Sequence, residues 1–142
     1  MRISLASDHG GLQLKNQISE YLKQLGHDVV DFGTYSLDSC DYPDYARPAA
    51  LAVANGECER GIVVCTTGIG VSMVANKVKG VRCALCVNPD MAKMTRAHNN
   101  ANMIAIGQKY VVFETAKEIV DNFLNTSFEG GRHSVRVDKI EM

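Results

Sequence analysis

The segment Val63–Lys77, with the sequence VVCTTGIGVSMVANK, joins an apolar run to a glycine-bearing loop and then to a predicted helix. The apolar residues that end at Cys65 are continuous rather than alternating with polar ones, which favours a strand buried on both faces. Gly68 and Gly70 allow the backbone to bend sharply before the helix begins. A strand, a loop and a helix in this order predict one unit of a parallel α/β sheet.

The same alternation of short apolar segments and helical segments runs through most of the chain. It predicts an α/β fold in which helices cover both faces of a five-stranded parallel sheet. Pro48 lies inside the second helix, and we expect it in or near the first turn, where proline is tolerated. The predicted strands are Arg2–Ser7, Asp28–Gly33, Gly61–Cys65, Val81–Val87 and Asn102–Gly107, and the helices are Gly10–Leu25, Pro43–Asn55, Val71–Lys77, Asn88–His98 and Val112–Leu124.

The composition predicts one domain over residues 1–142, with 46% hydrophobic and 22% charged residues. A net charge of −1 gives no overall attraction to nucleic acid or to a membrane surface. The N-terminal apolar run is too short for a signal peptide, and no segment approaches the roughly 20 apolar residues of a membrane span. The odd count of five cysteines indicates reduced thiols, which are typical of a cytoplasmic protein.

Candidate site residues follow two of the predicted strands, and ligands of open α/β sheets bind beyond the carboxyl ends of the strands. Asp8 and His9 follow the first strand, and Cys65 ends the third. We place His98 and Asn99, at the end of the helix after the fourth strand, in the same group. Taken alone, Asp8 fits a helix N-cap and Cys65 an inert buried thiol. Together at one edge of the sheet, these residues favour a functional site.

The loop from Thr66 to Gly70 fits an anion-binding turn, because its glycines expose backbone N–H groups and a helix N-terminus follows. The positive electrostatic potential of these N–H groups and of the helix N-terminus would also favour the thiolate form of Cys65. The loop lacks the Lys-Ser/Thr ending of a Walker loop, the third glycine of a dinucleotide fingerprint falls at Met73, and Val71 stands where a cysteine phosphatase needs arginine. A thiol beside oxyanion donors suits proton abstraction next to a carbonyl, with an enediolate to stabilise.

The other cysteines carry no comparable signal. Cys83 and Cys86 are three residues apart on a predicted strand, so their side chains point to opposite faces and a redox dithiol is disfavoured. No Cys/His spacing in the chain is typical of a zinc site.

The C-terminal tail, about residues 129–142, lies outside the predicted sheet and carries a cluster of basic residues. Arg132, His133 and Arg136 follow two glycines. They fit either a solvated basic end or a phosphate anchor that Lys109 could join. The whole set of groups would suit a small sugar phosphate.

Several motifs in one order are similar to those of type B ribose-5-phosphate isomerases, a family that also contains galactose-6-phosphate isomerase subunits. The resemblance extends from about Ile3 to Arg136. It implies a Rossmann-like or flavodoxin-like three-layer sandwich, a homodimer or tetramer with the site shared across the subunit interface, and no metal or organic cofactor. The motifs are SDHGG at 7–11, DYPDYA at 41–46, CTTGIGVSMVANK at 65–77, HNNAN at 98–102 and GGRHSVR at 130–136.

The resemblance implies a role for each candidate residue. Cys65 would be the base that moves a proton between C1 and C2 of the open-chain sugar, and His98 would open the furanose ring. The loop would hold the enediolate oxygens, the tail arginines would bind phosphate with help from His9, and the remaining residues would line the sugar site. The substrate-binding set is Asp8, His9, Tyr42, Thr66, Thr67, Gly68, Ile69, Gly70, Asn99, Lys109, Arg132 and Arg136.

Two positions depart from the family pattern. Thr66 stands where the family usually has glycine after the cysteine, and Lys109 stands where it usually has arginine. The expected reaction is interconversion of ribose 5-phosphate and ribulose 5-phosphate. Isomerisation of a hexose 6-phosphate (allose or galactose 6-phosphate), non-catalytic sugar-phosphate binding and, from the fold alone, flavin or nucleotide binding remain alternatives.

Overall fold

The computed structural model describes all 142 residues and contains one five-stranded parallel sheet between two layers of helices. The alternating pattern of the sequence is therefore confirmed as a three-layer α/β sandwich. The strands are β1 (Arg2–Ser7), β2 (Asp28–Asp31), β3 (Arg60–Cys65), β4 (Cys83–Leu85) and β5 (Met103–Gly107). The helices are α1 (Leu12–Gln24), α2 (Pro43–Ala54), α3 (Ile69–Asn76), α4 (Pro89–Asn99), α5 (Phe113–Asn125) and α6 (Arg132–Ile140), with a 3₁₀ turn at His9–Gly11.

The strands lie in the order β2-β1-β3-β5-β4, and each neighbouring pair is parallel. This is the flavodoxin-like order with its last two strands exchanged. Helices α1 and α4, on connections that move towards β2, contribute to one core, whereas α2 and α3, on connections that move towards β4, contribute to the other. A single handedness of βαβ crossover requires this separation, because reversing the direction of a connection moves its helix to the other face.

Strand β3 lies in the middle of the sheet, and its side chains alternate between the two cores. Ile62 and Val64 belong to the core under α1, α4 and α5, whereas Val63 and Cys65 belong to the core under α2 and α3. This alternation explains the continuous apolar run in the sequence, since neither face of the strand meets solvent. It also directs the Cys65 side chain towards the α2–α3 side.

The expected helices and strands form, with differences in detail. Strand β4 is shorter than predicted and only half-buried, because it lies at the edge of the sheet. Pro48 is the sixth residue of α2, one turn later than expected. Cys83 and Cys86 pack into opposite cores, as their spacing predicted.

The C-terminal tail forms a helix that the sequence analysis did not predict. Helix α6 packs against α4, and the Arg82 guanidinium binds the Glu141 carboxylate at 2.6 Å. The tail therefore has a defined position beside the start of β4. Every helix of the chain is too short or too polar to cross a membrane.

Candidate active site

The candidate site lies at the carboxyl edge of the sheet, where β1 and β3 end side by side. Ser7 of β1 pairs with Val64 of β3, so the residues that follow both strands are neighbours. The connection from β1 runs to one side of the sheet and the connection from β3 to the other. Such a reversal opens a crevice between the two strand ends, which is the usual ligand position in open α/β sheets.

The Cys65 thiol is held by the turn that follows it. The side chain is buried, and the Gly68 N–H donates a hydrogen bond to its Sγ at 3.1 Å. Gly68 has φ +78°, and a Cβ there would lie 2.9 Å from the Gly107 nitrogen. Glycine is needed at this position for two reasons. Residues with a side chain rarely adopt the left-handed backbone conformation, and a Cβ here would clash with the neighbouring strand β5. The turn therefore aims a backbone donor at the sulfur.

The end of β5 fixes the loop from the other side. The N–H groups of Gln108 and Lys109 donate to the carbonyl oxygens of Cys65 and Thr66, both at 2.9 Å. The Thr67 carbonyl lies directly against Gly107, where there is no space for a Cβ. These contacts hold the backbone donors of the loop in one conformation, as an oxyanion-binding turn requires.

Thr66 lies over the turn that follows β1. Its Oγ1 contacts Gly10 so closely that a side chain at Gly10 would overlap it. The residue is otherwise exposed. The Thr66 side chain therefore narrows the crevice between the ends of β1 and β3.

Asp8, His9 and Tyr42 surround the same crevice. Asp8 is buried, and its Oδ1 accepts hydrogen bonds from the N–H groups of Gly10 at 3.0 Å and Gly11 at 3.2 Å. It is thus an N-cap of the 3₁₀ turn, as the alternative interpretation of the sequence held. The half-buried His9 accepts from the Cys40 N–H through Nδ1 at 3.3 Å. The Tyr42 ring packs against Gly70, where a Cβ would lie 2.7 Å from its Cζ.

His98 and Asn99 lie at the opposite edge of the sheet, and their expected place beside Cys65 within one chain is wrong. Helix α4 runs antiparallel to the strands, so it ends near the start of β4, where the Arg82 Nε donates to the Asn99 carbonyl at 3.2 Å. Cys65 pairs with Gly107 at the far end of β5. The four residue steps of β5 from Met103 to Gly107 span about 13 Å at the usual strand rise.

His98 belongs to a cluster with Glu129 and His133. The two imidazoles are stacked, with ring centroids 4.3 Å apart and planes at 11°. Their Nε2 atoms lie 3.7 Å and 3.6 Å from the two oxygens of the Glu129 carboxylate. Burial lowers the pKa of His133, and the neighbouring charges of His98 and Arg132 lower it further. Sequence reasoning missed Glu129, since only the packing of α6 on α4 brings it to His98.

The candidate phosphate ligands are divided between the two edges. Arg132 and Arg136 are exposed on α6, four residues apart on one helix face and next to the His98 cluster. Lys109 is exposed just after β5, at the edge that carries Cys65. The candidate residues of one chain therefore form two separate groups: Cys65 with its loop at one edge, and His98, Asn99 and the two arginines at the other.

Comparison with known proteins finds relatives over nearly the whole chain. Residues 3–140 match the family model described as Ribose/Galactose Isomerase. The chain is 45% identical to ribose-5-phosphate isomerase B of Escherichia coli, over 98% of this chain and 93% of that protein. A solved structure of ribose-5-phosphate isomerase B from Clostridium thermocellum superimposes with a TM-score of 0.98 at 51% identity, covering 99% of this chain and 95% of the other.

A further solved structure, ribose-5-phosphate isomerase B from Mycoplasma genitalium with bound ribulose-5-phosphate, has a TM-score of 0.94 at 47% identity and covers 99% of this chain and 93% of the other. The resemblance to type B ribose-5-phosphate isomerases is thus confirmed over nearly the whole chain. The chain is an isomerase and belongs to the ribose/galactose isomerase family.

Proposed function

We propose that the chain interconverts ribose 5-phosphate and ribulose 5-phosphate through an enediolate, with Cys65 as the base. The observation that carries this proposal is the hydrogen bond from the Gly68 N–H to the Cys65 sulfur. This hydrogen bond supports the view that the backbone N–H groups of the loop can stabilise negative charge, both on the Cys65 thiolate and on a neighbouring substrate oxygen. The relative crystallised with ribulose-5-phosphate supports a five-carbon sugar phosphate as substrate.

In the proposed reaction, the Cys65 thiolate removes the proton from C2 of the open-chain aldose. The electron pair of that C–H bond forms the C1–C2 double bond, and the carbonyl oxygen becomes an oxyanion near the N–H groups of the loop. The thiol then returns the proton to C1, and the C1–C2 double bond supplies the electron pair of the new C–H bond. The O2 hydroxyl proton passes to the O1 oxyanion, and the electron pair left on O2 forms the C2 carbonyl of the ketose. General-base transfer contributes about 10²–10⁴-fold, and one oxyanion donor about 3–4 kcal/mol, so both parts of the loop are needed.

We further propose that two subunits build each site. Proton transfer needs contact at hydrogen-bond distance, whereas Cys65 and His98 of one chain are at opposite edges of the sheet. In a homodimer, the partner's His98 could reach the substrate held at Cys65. The tail, about residues 129–142, would bring the partner's Arg132 and Arg136 to the phosphate, opposite Lys109. A tetramer would then be a pair of such dimers.

The reaction is tested by incubating the protein with ribose 5-phosphate, allose 6-phosphate and galactose 6-phosphate and following aldose–ketose conversion by NMR. We expect conversion of the pentose phosphate at the highest rate. Faster conversion of a hexose phosphate would overturn the substrate assignment, and binding without conversion of any sugar would overturn the proposed interconversion of ribose 5-phosphate and ribulose 5-phosphate.

The shared site is tested by mixing Cys65→Ser and His98→Asn subunits, each of which is expected to be inactive alone. In a mixed dimer, one site carries both changes and the other carries none. Random exchange between two-fold-related subunits should restore about one quarter of the wild-type sites. Native mass spectrometry of isotope-labelled subunits would establish that exchange has occurred. Exchange without recovered activity would mean that each chain builds its site alone.

A cytoplasmic location fits the proposed reaction. All five cysteines are free, and unpaired thiols are typical of a reducing compartment.

A further inference from the structure

Helix α1 begins without a capping side chain of its own. Its N-cap is Gly11, and a Cβ at Gly11 would lie 2.7 Å from the carbonyl carbon and oxygen of Val64 in β3. The close packing of Gly11 on β3 therefore excludes the Ser, Thr, Asp or Asn side chain that usually accepts a hydrogen bond from the first turn of a helix. The free N–H groups of that turn need acceptors from elsewhere in the molecule.

The half-buried side chain of Gln108, just after β5, supplies one of these acceptors. Its Oε1 accepts a hydrogen bond from the N–H of Leu14, the third residue of α1, at 2.9 Å. An N-cap side chain normally binds an N–H group at this position. Asp8 binds the N–H groups of Gly10 and Gly11 in the preceding 3₁₀ turn, so the two side chains divide the turn and the helix start between them.

The backbone of Gln108 binds the other side of the crevice. Its N–H donates to the Cys65 carbonyl at 2.9 Å, at the point where the loop leaves β3. The pairing of β1 with β3 ends at Ser7 and Val64, so the sheet itself does not fix the residues beyond these two. Gln108 is thus bonded both to the helix that follows the turn with His9 and to the strand end that carries Cys65.

We propose that Gln108 is a positioning residue, which holds the turn that carries His9 at a fixed distance from Cys65 and its loop. This inference rests on the proposed function, in which the substrate lies between these two groups. Gln108 acts without touching the substrate, because both of its hydrogen bonds are made to protein backbone. Without the side-chain acceptor, the Leu14 N–H would be unpaired. Unpaired buried backbone groups are rare, so the start of α1 would shift to find another partner.

The proposal is tested with Gln108→Leu, which removes the acceptor, and Gln108→Glu, which keeps it. Helix N-termini favour a negative charge, so the glutamate carboxylate should accept the Leu14 N–H as the amide does. A displacement of about 1 Å can lower activity about 10²-fold, so we expect kcat of Gln108→Leu to fall by about 10- to 100-fold. KM should change little, because the arginines proposed to bind phosphate lie on α6. Gln108→Glu should retain the wild-type kcat.

Asn88→Ala is the matched control for the loss of a helix cap. The Asn88 Oδ1 accepts from the N–H of Met91, the third residue of α4, at 2.9 Å, which is the same helix position and distance as in α1. This variant should lower the midpoint of thermal unfolding as Gln108→Leu does, but leave kcat unchanged. Equal losses of kcat in these two variants, an unchanged kcat in Gln108→Leu, or a Gln108→Glu enzyme as impaired as Gln108→Leu would overturn the positioning role.

Amide hydrogen exchange, followed by NMR, gives a readout that needs no activity. The Gly68 N–H, which binds the Cys65 sulfur, should exchange faster in Gln108→Leu than in wild type, and at the wild-type rate in Asn88→Ala and Gln108→Glu. Equal Gly68 exchange in wild type and Gln108→Leu would overturn the inference. Wild-type protein that does not convert ribose 5-phosphate would instead count against the proposed function, and the exchange result would still decide whether Gln108 holds the loop.

Discussion

The Cys65 sulfur and the His98 imidazole lie at opposite edges of the same parallel sheet. Cys65 ends β3, whereas His98 lies at the end of a crossover helix that runs back to the start of β4 and β5. The thiol has a backbone donor, and the imidazole has a carboxylate and a second imidazole beside it. Each edge carries half of the chemistry that the proposed isomerisation needs, which is why we place the complete site between two subunits.

Cys65→Ser should abolish most of the activity and leave the fold intact. Serine can accept the same hydrogen bond from Gly68, but its hydroxyl is a much poorer base at neutral pH. We expect kcat/KM for ribose 5-phosphate to fall by about 10²–10⁴-fold. Cys58→Ala, which removes a thiol near the start of β3, is the matched control for cysteine loss. Retention of more than about a tenth of wild-type activity in Cys65→Ser would place the base elsewhere.

Gly107→Ala should disturb the catalytic loop from the neighbouring strand. The added Cβ would overlap the Thr67 carbonyl, and a backbone contact of this kind can be relieved only if the loop moves. Displacing the donors by about 1 Å can lower activity about 10²-fold. Steady-state kinetics and thermal unfolding should be measured together. A large loss of kcat/KM with a cooperative unfolding transition is expected, and unchanged kinetics would mean that the position of the loop does not control catalysis.

Thiol labelling should distinguish Cys40 and Cys65 from the other three cysteines. Burial raises the pKa of Cys86 to about 12 and raises the pKa of Cys83 and Cys58 as well. At pH 8 the raised pKa values leave a smaller share of these thiols in the reactive thiolate form. Mass spectrometry after iodoacetamide treatment should find Cys40 and Cys65 modified first, and ribose 5-phosphate should protect Cys65. Labelling of Cys86 at the rate of Cys40 in folded protein would contradict this order.

The sequence predicted the sheet because the strands are apolar on both faces and each is followed by a helical segment. The sequence could not show which of β4 and β5 lies inside the sheet and which lies at its edge, because both are short apolar runs. In the structure β5 is fully buried in the sheet and β4 is its half-buried edge. Helix α6 was not predicted from the sequence, because two glycines precede it and its sequence is rich in basic residues.

The candidate residues at the end of β1 and β3 could be placed from the sequence, because strand ends are local features. His98 was placed at the wrong edge, since its position depends on the direction of α4 rather than on its distance along the chain from β4. Glu129 carried no local signal, because its contact with His98 exists only after α6 packs against α4.

Thr66→Gly should change the choice of substrate. The Thr66 side chain lies against Gly10, between the ends of β1 and β3, so it narrows the crevice beside Asp8 and His9. We expect wild type to prefer ribose 5-phosphate over allose 6-phosphate, because the extra carbon of the hexose needs that space. Lys109, whose side chain is more flexible than that of arginine, would favour the longer hexose phosphate, and we expect this effect to be the smaller one.

The measurement is kcat/KM for both sugars in wild type, Thr66→Gly and Thr66→Ser. A small side-chain group in a substrate pocket changes the discrimination between two substrates by about 1–3 kcal/mol. Thr66→Gly should therefore shift the ratio of the two kcat/KM values towards the hexose phosphate by roughly 10-fold or more. Thr66→Ser keeps Oγ1 and removes only the methyl group, which separates the two parts of the side chain. If Oγ1 against Gly10 sets the width of the crevice, serine should behave like threonine. An unchanged ratio in Thr66→Gly would show that this residue does not select the substrate, and a wild-type preference for the hexose phosphate would reverse the assignment.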